Sequence, residues 1–375
     1  MINFIRSFQI LVFVFILFFN TLLLGQGYKK DSKKDTEGFL FDIDEVKLEE
    51  PSLLKPEFHG FLSVGAPFSG GLDETEKDSS NVFNQTELTL WFGTQIFKNL
   101  EFDSELEMDD GFEEFELEKF ELDWNVFNEK LVFRAGKFIY PFGIERLVES
   151  APYNKLIDRP NPSIKIIPDT YSDAGLELYG IVPFLYKTKF KYELAVTNGL
   201  SSPEEKGEQR LGFEDNNDNK ALGGRLGFEL MPGLEVGGSY LTGKYDDDEK
   251  FSMNFIGADI SFQKGGFEIR SEYIRSNVER STIAGGSFDR EGYYFQASYR
   301  YSPEMNYLSY IEGVARFDSV DSNDLVTDEN DADRVALGIN YSPMNHVKLK
   351  LEYEMENEAK EDREKKGFIQ IIFSW

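Results

Sequence analysis

The chain consists of strand-length segments in which apolar and polar side chains alternate, joined by connections that are alternately short and long. Residues 100–109 are the clearest case, with acids at every second position from Glu101 to Asp109 and apolar side chains such as Phe102 between them. Side chains two apart in a strand share a face, so this pattern predicts sheets with one apolar and one charged face. We expect about sixteen antiparallel strands between residues 57 and 375, with loop lengths alternating as they do in membrane β-barrels.

The composition narrows the choice of protein class. The chain has 35 Phe and 18 Tyr, and 68 acidic against 40 basic residues give a formal net charge of -28. This mixture suits strands with one apolar and one wet face, although a soluble sandwich with its acids in water remains an alternative. The acidic balance argues against nucleic acid as a partner, because phosphate backbones bind clustered Lys and Arg. The chain has no cysteine, so a disulfide scaffold and thiolate metal ligands are excluded.

The sequence gives little support for catalysis. Only His59 and His346 could serve as imidazole bases, and neither belongs to a nucleophile motif. We therefore expect no enzyme, no cofactor and no metal centre. The oxygen-rich stretches 215–219 and 246–249 lack the spacing of a calcium loop and are interpreted as solvated external loops, with loose divalent binding as the alternative.

The N-terminal region divides into two parts. Residues 1–27, with Arg6 ahead of the apolar run 10–19 and small residues Gly25 and Gly27, predict a cleaved signal peptide. A membrane-spanning anchor helix is the alternative. Residues 28–56 predict a polar, acidic periplasmic tail, and residues 57–375 a transmembrane barrel in the outer membrane.

The last segment favours a closed barrel. Ile369, Ile371, Phe373 and Trp375 share one face, as expected when the last strand pairs with the first and leaves no open edge. A change of phase near Lys119 predicts a β-bulge. The fold class is therefore all-β, a transmembrane antiparallel barrel.

Residues 131–145 lead into the longest irregular connection of the chain. The alternation through Arg134 and Lys137 predicts a strand, which Pro141 and Gly143 end. The connection 141–172 is predicted to be the long third external loop, and loops of this length in compact folds are usually functional or disordered. Ion pairing of Arg134 with Glu116, Glu118 or Glu121 across the wall is favoured over ligand binding.

Two motifs resemble the bacterial outer-membrane porins of the phosphate-selective O/P type. Residues 134–145 are similar to that family's strand-ending motif, and residues 173–180 to its Asp-x-Gly motif. The matching positions are Gly136, Phe138, Pro141, Phe142, Gly143, Asp173 and Gly175. The resemblance implies a sixteen-stranded channel, a homotrimer, and a third loop folded into the lumen as a constriction.

The charge of this chain departs from that family's pattern, in which basic residues select phosphate. Lumenal Asp and Glu would favour cations, whereas the loop carries several bases, so cation preference, weak selectivity and anion preference all stay open. Arg146 and Arg159 are predicted either to bind solute or to clamp the loop to the wall. The pore candidates are Arg134, Lys137, Arg146, Lys155, Arg159, Lys165, Glu105, Glu107, Glu116 and Glu118.

The sequence therefore predicts an outer-membrane porin through which small hydrophilic solutes or ions diffuse. The expected partners are outer-membrane lipid, lipopolysaccharide and the diffusing solutes. A surface-exposed structural or adhesive barrel without an open channel is the alternative. A barrel for hydrophobic solutes is disfavoured, because residues 28–56 are too short and polar to form a plug.

Overall fold

The computed structural model describes residues 56–68, 85–109, 114–167, 171–184, 188–202, 215–282, 285–303, 308–325, 331–358 and 364–375. All of them lie in the unit Glu50–Trp375. Within these residues, sixteen strands form one closed antiparallel barrel, so the predicted fold class is confirmed. The signal peptide and nearly all of the tail lie outside the described residues and stay predictions.

The strands cover most of the described chain. Their bounds are β1 Glu57–Phe68, β2 Gln85–Phe97, β3 Leu100–Asp109, β4 Glu114–Asn125, β5 Val132–Ile139, β6 Ser172–Pro183, β7 Lys189–Thr197, β8 Ala221–Met231, β9 Leu234–Lys244, β10 Ser252–Lys264, β11 Phe267–Val278, β12 Phe288–Tyr301, β13 Tyr310–Asp321, β14 Ala332–Met344, β15 Val347–Glu358 and β16 Glu364–Ser374.

Each strand pairs with its neighbours in sequence, and β1 closes the barrel against β16. At the seam, the N–H of Trp375 donates to the carbonyl of Gly60 at 3.0 Å and the N–H of Gly60 donates back at 3.3 Å. Because the last strand meets the first, the sheet has no unpaired edge. This closure is the one that the alternation in residues 369–375 predicts.

The connections alternate in length around the barrel. Two-residue turns join β2 to β3, β8 to β9, β10 to β11 and β14 to β15, and these turns share one end of the barrel, here called the tight-turn end. The connection between β5 and β6 lies at the opposite end. This alternation is typical of outer-membrane barrels.

The two faces of the sheet differ sharply in chemistry. Charged side chains such as Arg316 and Asp318 are fully buried, whereas Leu176 is 63% exposed and Trp124 51% exposed. The apolar face therefore points outward and the charged face encloses the interior, the arrangement that a lipid environment favours. Exposed aromatic side chains lie near the tight-turn end, namely Phe97, Trp124, Phe127, Phe184, Tyr299, Tyr301 and Trp375.

The pairing of β3 with β4 is irregular at one position. Glu105 pairs with Lys119 while the next residue, Leu106, pairs with Leu117, so Glu118 is the extra residue of a bulge. The predicted bulge near Lys119 is confirmed. It returns the apolar side chains of β4 to the outer face after the sequence pattern slips.

Residues 141–167, here called the inner segment, follow β5. They contain a 3-10 turn at Glu145–Leu147 and one short helix, α1, at Asn161–Lys165. The sequence pattern showed neither element, because each is shorter than two helical turns. In the described part of the chain, no helix has both the length and the apolar character needed to cross a membrane.

Candidate functional site

The motif at residues 136–143 turns the chain from the wall into the interior. Gly136 has φ +134°, and a Cβ there would overlap the carbonyl oxygen of Phe120 on β4, so only glycine fits. Phe138 and Tyr140 are fully buried, and Tyr140 stacks on Tyr171 with ring centroids 5.0 Å apart. The N–H of Tyr140 also donates to the carbonyl of Tyr171 at 2.8 Å, which closes the base of the connection.

Gly143 brings the backbone against β11, on another part of the barrel wall. It has φ +69°, and a Cβ there would overlap Oε1 of Glu272 on β11. That carboxylate accepts hydrogen bonds from the backbone N–H groups of Ile144 and Glu145, the second at 3.4 Å. The N–H of Gly143 itself donates to Oγ of Ser239 at 2.9 Å. The motif thus anchors the start of the inner segment on β9 and β11.

Asp173 plays a comparable role where the chain re-enters the wall. It is fully buried and accepts hydrogen bonds from the N–H of Ala174 at 2.8 Å and of Gly199 at 2.7 Å. Its carboxylate therefore ties the start of β6 to the end of β7. The two motif fragments have structural roles at the two ends of one connection.

Arg146 and Arg159 both form salt bridges. Arg146 Nη2 lies 2.7 Å from Glu193 Oε2 on β7, and Arg159 Nη2 lies 2.6 Å from Glu145 Oε2 and 3.2 Å from Glu149 Oε2. The first pair joins the inner segment to the wall, while the second closes the segment on itself. Of the two roles that the sequence left open, this geometry favours clamping to the wall for Arg146, whereas the salt bridges of Arg159 lie within the segment.

Lys155 lies against the far wall. Its Nζ is 2.8 Å from Glu312 on β13, 3.0 Å from Glu268 on β11 and 2.7 Å from Oγ of Ser298 on β12. Lys165 lies 3.8 Å from Glu356 on β15. Every base predicted on the loop therefore has a carboxylate neighbour.

Two buried arginines of the wall hold the backbone of the inner segment. Arg316 on β13 donates to the carbonyl of Asp158 at 2.8 Å and pairs with Asp318 at 3.0 Å. Arg334 on β14 donates to the carbonyl of Arg159 and lies 3.3 Å from the same Asp318. These cations are used to bind peptide oxygens and one shared carboxylate.

β15 supplies a third row of contacts. Lys350 donates to the carbonyl of Leu156 at 3.0 Å, Lys348 donates to the carbonyl of Pro152, and Glu352 accepts from the N–H of Ile157. Since β13 to β15 stand far from β5 in the barrel order, these contacts mean that the inner segment crosses the interior.

A cavity of about 700 Å³ remains between the inner segment and the tight-turn end. Leu147 and Val148 of the segment line one side, and the wall from β3 to β11 lines the rest. Seven acids against three bases border it, namely Glu101, Asp123, Glu129, Glu193, Glu229, Glu235 and Glu268 against Lys191, Arg225 and Arg270.

The structure places the predicted wall residues in one region. Arg134 pairs with Glu121 at 3.3 Å, as predicted, and also with Asp123 at 2.7 Å and Glu177 at 3.2 Å. Lys137 pairs with Glu116 at 3.2 Å. Both bases therefore form ion pairs with wall carboxylates.

The predicted acids Glu105, Glu107 and Glu118 lie on β3 and β4 in the same region. Glu105 pairs with Lys119 at 2.5 Å. Glu118 is only 3% exposed, and its Oε2 makes no hydrogen bond among the described residues.

Sequence reasoning missed the residues of β11 to β15 that receive the inner segment. The alternation of Lys348, Lys350, Glu352 and Glu354 on one face of β15 could have marked them, because it has the same period as the acids of β3. Nothing in that alternation indicates which segment the charges bind. That contact joins residues almost 200 positions apart.

The two oxygen-rich stretches, 215–219 and 246–249, meet at the end of the barrel opposite the tight turns. Asn216 Nδ2 lies 2.9 Å from Asp247 Oδ1, and the N–H of Asp218 donates to Glu249 at 3.0 Å. The carboxylates thus bind protein donors, and the described residues contain no group of three acids or histidines that could hold a metal ion.

Comparison with known proteins supports the resemblance to phosphate-selective porins. The sequence model of the family described as phosphate-selective porin O and P matches residues 254–369. This region comprises most of β10 to β16, away from the motifs at 134–145 and 173–180. An uncharacterized protein of Aquifex aeolicus (strain VF5) is 26% identical over 344 residues, which cover 81% of this chain and 77% of that protein.

Solved structures support the fold independently. An anion-selective porin from Comamonas acidovorans superimposes with a TM-score of 0.59 at 13% identity, over 86% of this chain and 100% of the porin. The outer membrane protein OmpT of Vibrio cholerae in a trimer form gives a TM-score of 0.55 at 13% identity, over 86% and 99%. The likeness to these structures concerns the fold.

The chain folds as a β-barrel of the outer-membrane type. It resembles the phosphate-selective O/P porins, and the matched family together with the closed barrel indicates an outer-membrane channel rather than an enzyme.

Proposed function

We propose that this barrel is a porin for passive diffusion of small hydrophilic solutes or ions, with the loop 141–172 as its constriction. The observation that carries the proposal is the set of contacts from the inner segment to β7, β9, β11, β13 and β15. A segment held at so many points narrows the lumen without needing a separate plug domain. The cavity bordered by charged side chains provides a wet space below it.

The proposal includes the surroundings of the barrel. The exposed aromatic side chains at the tight-turn end fit the interface of an outer membrane, with lipopolysaccharide beyond the long loops. A homotrimer is supported by the matched porin family and by the trimer form of the V. cholerae protein. Residues 1–27 would direct export and then be removed.

Planar-bilayer recording of the purified, folded protein tests the channel. We expect stable open steps, together with swelling of liposomes in small sugars, because a water-filled lumen admits both ions and sugars. Protein unfolded by heating before reconstitution is the control. Folded protein that gives neither conductance nor swelling would instead support a structural or adhesive barrel, in which the inner segment closes the lumen completely.

A further inference from the structure

One side of the barrel wall carries a dense strip of carboxylates. Here it is called the acidic strip, and it comprises the acids of β2, β3 and β4 whose side chains the structure describes. They are Glu87, Glu101, Asp103, Glu105, Glu107, Asp109, Glu116, Glu118, Glu121 and Asp123.

Among the described residues, few cations pair with this strip. Lys119 pairs with Glu105, Arg134 with Glu121 and Asp123, and Lys137 with Glu116. Lys350 of β15 also acts on Glu87, and the described carboxylates of the strip still outnumber the cations near them. Like charges at this density attract mobile counterions from water.

Glu118 points to such a ligand independently of the count. The bulge places it near Lys137 and among Glu105, Glu116 and Glu149, it is only 3% exposed, and its Oε2 has no hydrogen-bond partner in the described part of the chain. A buried oxygen without a donor is costly, and a passing cation supplies what it lacks.

Four other bases of the lumen are engaged elsewhere. The inner segment's Arg146 and Lys155 lie in salt bridges to the wall, and the buried Arg316 and Arg334 bind backbone carbonyls of the segment. The inner segment therefore neutralises the side of the barrel that it covers. The acidic strip keeps its excess charge.

The strip also continues into the cavity below the segment. Glu101 and Asp123 belong to both the strip and the cavity lining, where acids outnumber bases seven to three. A solute that follows the strip thus meets carboxylates from the middle of the wall down to the tight-turn end.

We infer that the acidic strip is the selectivity element of this barrel and that it favours small cations, inorganic or organic amines, over anions. Rows of lumenal carboxylates lower the energy of a cation and raise that of an anion, and the effect weakens as salt screens the charges. This inference rests on the proposed porin function. It assigns selectivity mainly to the carboxylates of the wall strands, whose effect the bases of the loop partly offset.

Reversal potential across a KCl gradient tests the inference. The reversal potential of the wild type should have the sign expected of a cation-selective channel. Its distance from zero should shrink as the total salt concentration is raised. The double variant Glu101→Gln, Glu116→Gln removes two carboxylates from the more exposed part of the strip, and its potential should move toward zero. The control Asp247→Asn, Asp248→Asn removes two charges from an exposed loop and should keep the wild-type potential.

The outcomes separate this inference from the porin function. Stable open steps with a wild-type reversal potential at zero, or with the sign of an anion-selective channel, would overturn the inference. The proposed porin function would still stand in that case. An equal shift in the strip and loop variants would also overturn it, because net charge alone would then set the preference. Absence of any conductance would contradict the porin itself. Glu101→Gln alone, with a smaller shift expected, serves if the double variant does not fold.

Discussion

Glu272 on β11 lies directly against the backbone of Gly143, so that a Cβ on this glycine would overlap the carboxylate oxygen Oε1. The same carboxylate accepts hydrogen bonds from the next two backbone N–H groups. A short motif at the end of β5 is thereby fixed to a strand that stands far around the barrel. This relationship explains why the motif needs glycine and why the inner segment begins its path inside.

Replacing Gly143 with Ala should loosen this anchor. The side chain would meet Glu272, and φ +69° would itself cost about 1–2 kcal/mol. We expect a lower unfolding temperature in detergent and noisier single-channel currents. Gly285→Ala is the matched control, because Gly285 also has positive φ, +96°, but a Cβ there meets nothing within 4 Å. Equal effects of the two substitutions would mean that backbone strain alone causes the loss of stability, without a contribution from the overlap with Glu272.

Arg316→Ala should destabilise the far wall. It leaves buried Asp318 short of a partner and frees the carbonyl of Asp158, and losing one member of a buried pair typically costs about 3–5 kcal/mol. Arg275→Ala, which breaks an exposed pair with Asp289, should barely change thermal unfolding. A variant of Arg316 that unfolds like wild type would show that the inner segment is held by other contacts.

The sequence was sufficient for the fold but not for the partners of the inner segment. Alternation and turn spacing predicted all sixteen strands and the bulge, because strands and bulges depend on residues that are neighbours in the sequence. The contacts of Lys155 with Glu268 and Glu312 join distant positions, and strand periodicity carries no information about them. The ion pair of Arg134 with Glu121 was predictable because β4 and β5 are adjacent hairpin strands.

The folded conformation of the loop 245–251 should lose stability in acid. Burial alone would raise the pKa of Asp246, but hydrogen bonds from the backbone N–H groups of Phe251 and Lys250 outweigh it and lower that pKa. Because the pKa of Asp246 is lowered in the folded protein, its charge stabilises the folded loop at pH values above the ordinary aspartate pKa. This stabilisation is lost as the pH falls through the lowered pKa. Amide exchange at Phe251 should therefore accelerate in acid relative to Asp246→Asn at the same pH. Matching pH profiles would contradict this.

Removing Arg146 and Arg159 together should shift the reversal potential further toward cations. Each change to Ala deletes a positive charge and leaves acids such as Glu193 and Glu149 with one partner fewer. Lys250→Ala, which removes an exposed external charge, is the control and should leave the potential unchanged. An unchanged potential in the double variant would show that these arginines lie away from the ion path.

The most direct test of the account is single-channel conductance of wild type against a variant in which a short Gly-Ser linker replaces residues 146–166. Strand pairing of β5 with β6 does not involve these residues, so the barrel should still fold. We predict stable open steps in wild type and larger steps in the variant, because the inner segment narrows the lumen. No conductance in wild type, or equal conductance in the two proteins, would contradict the account.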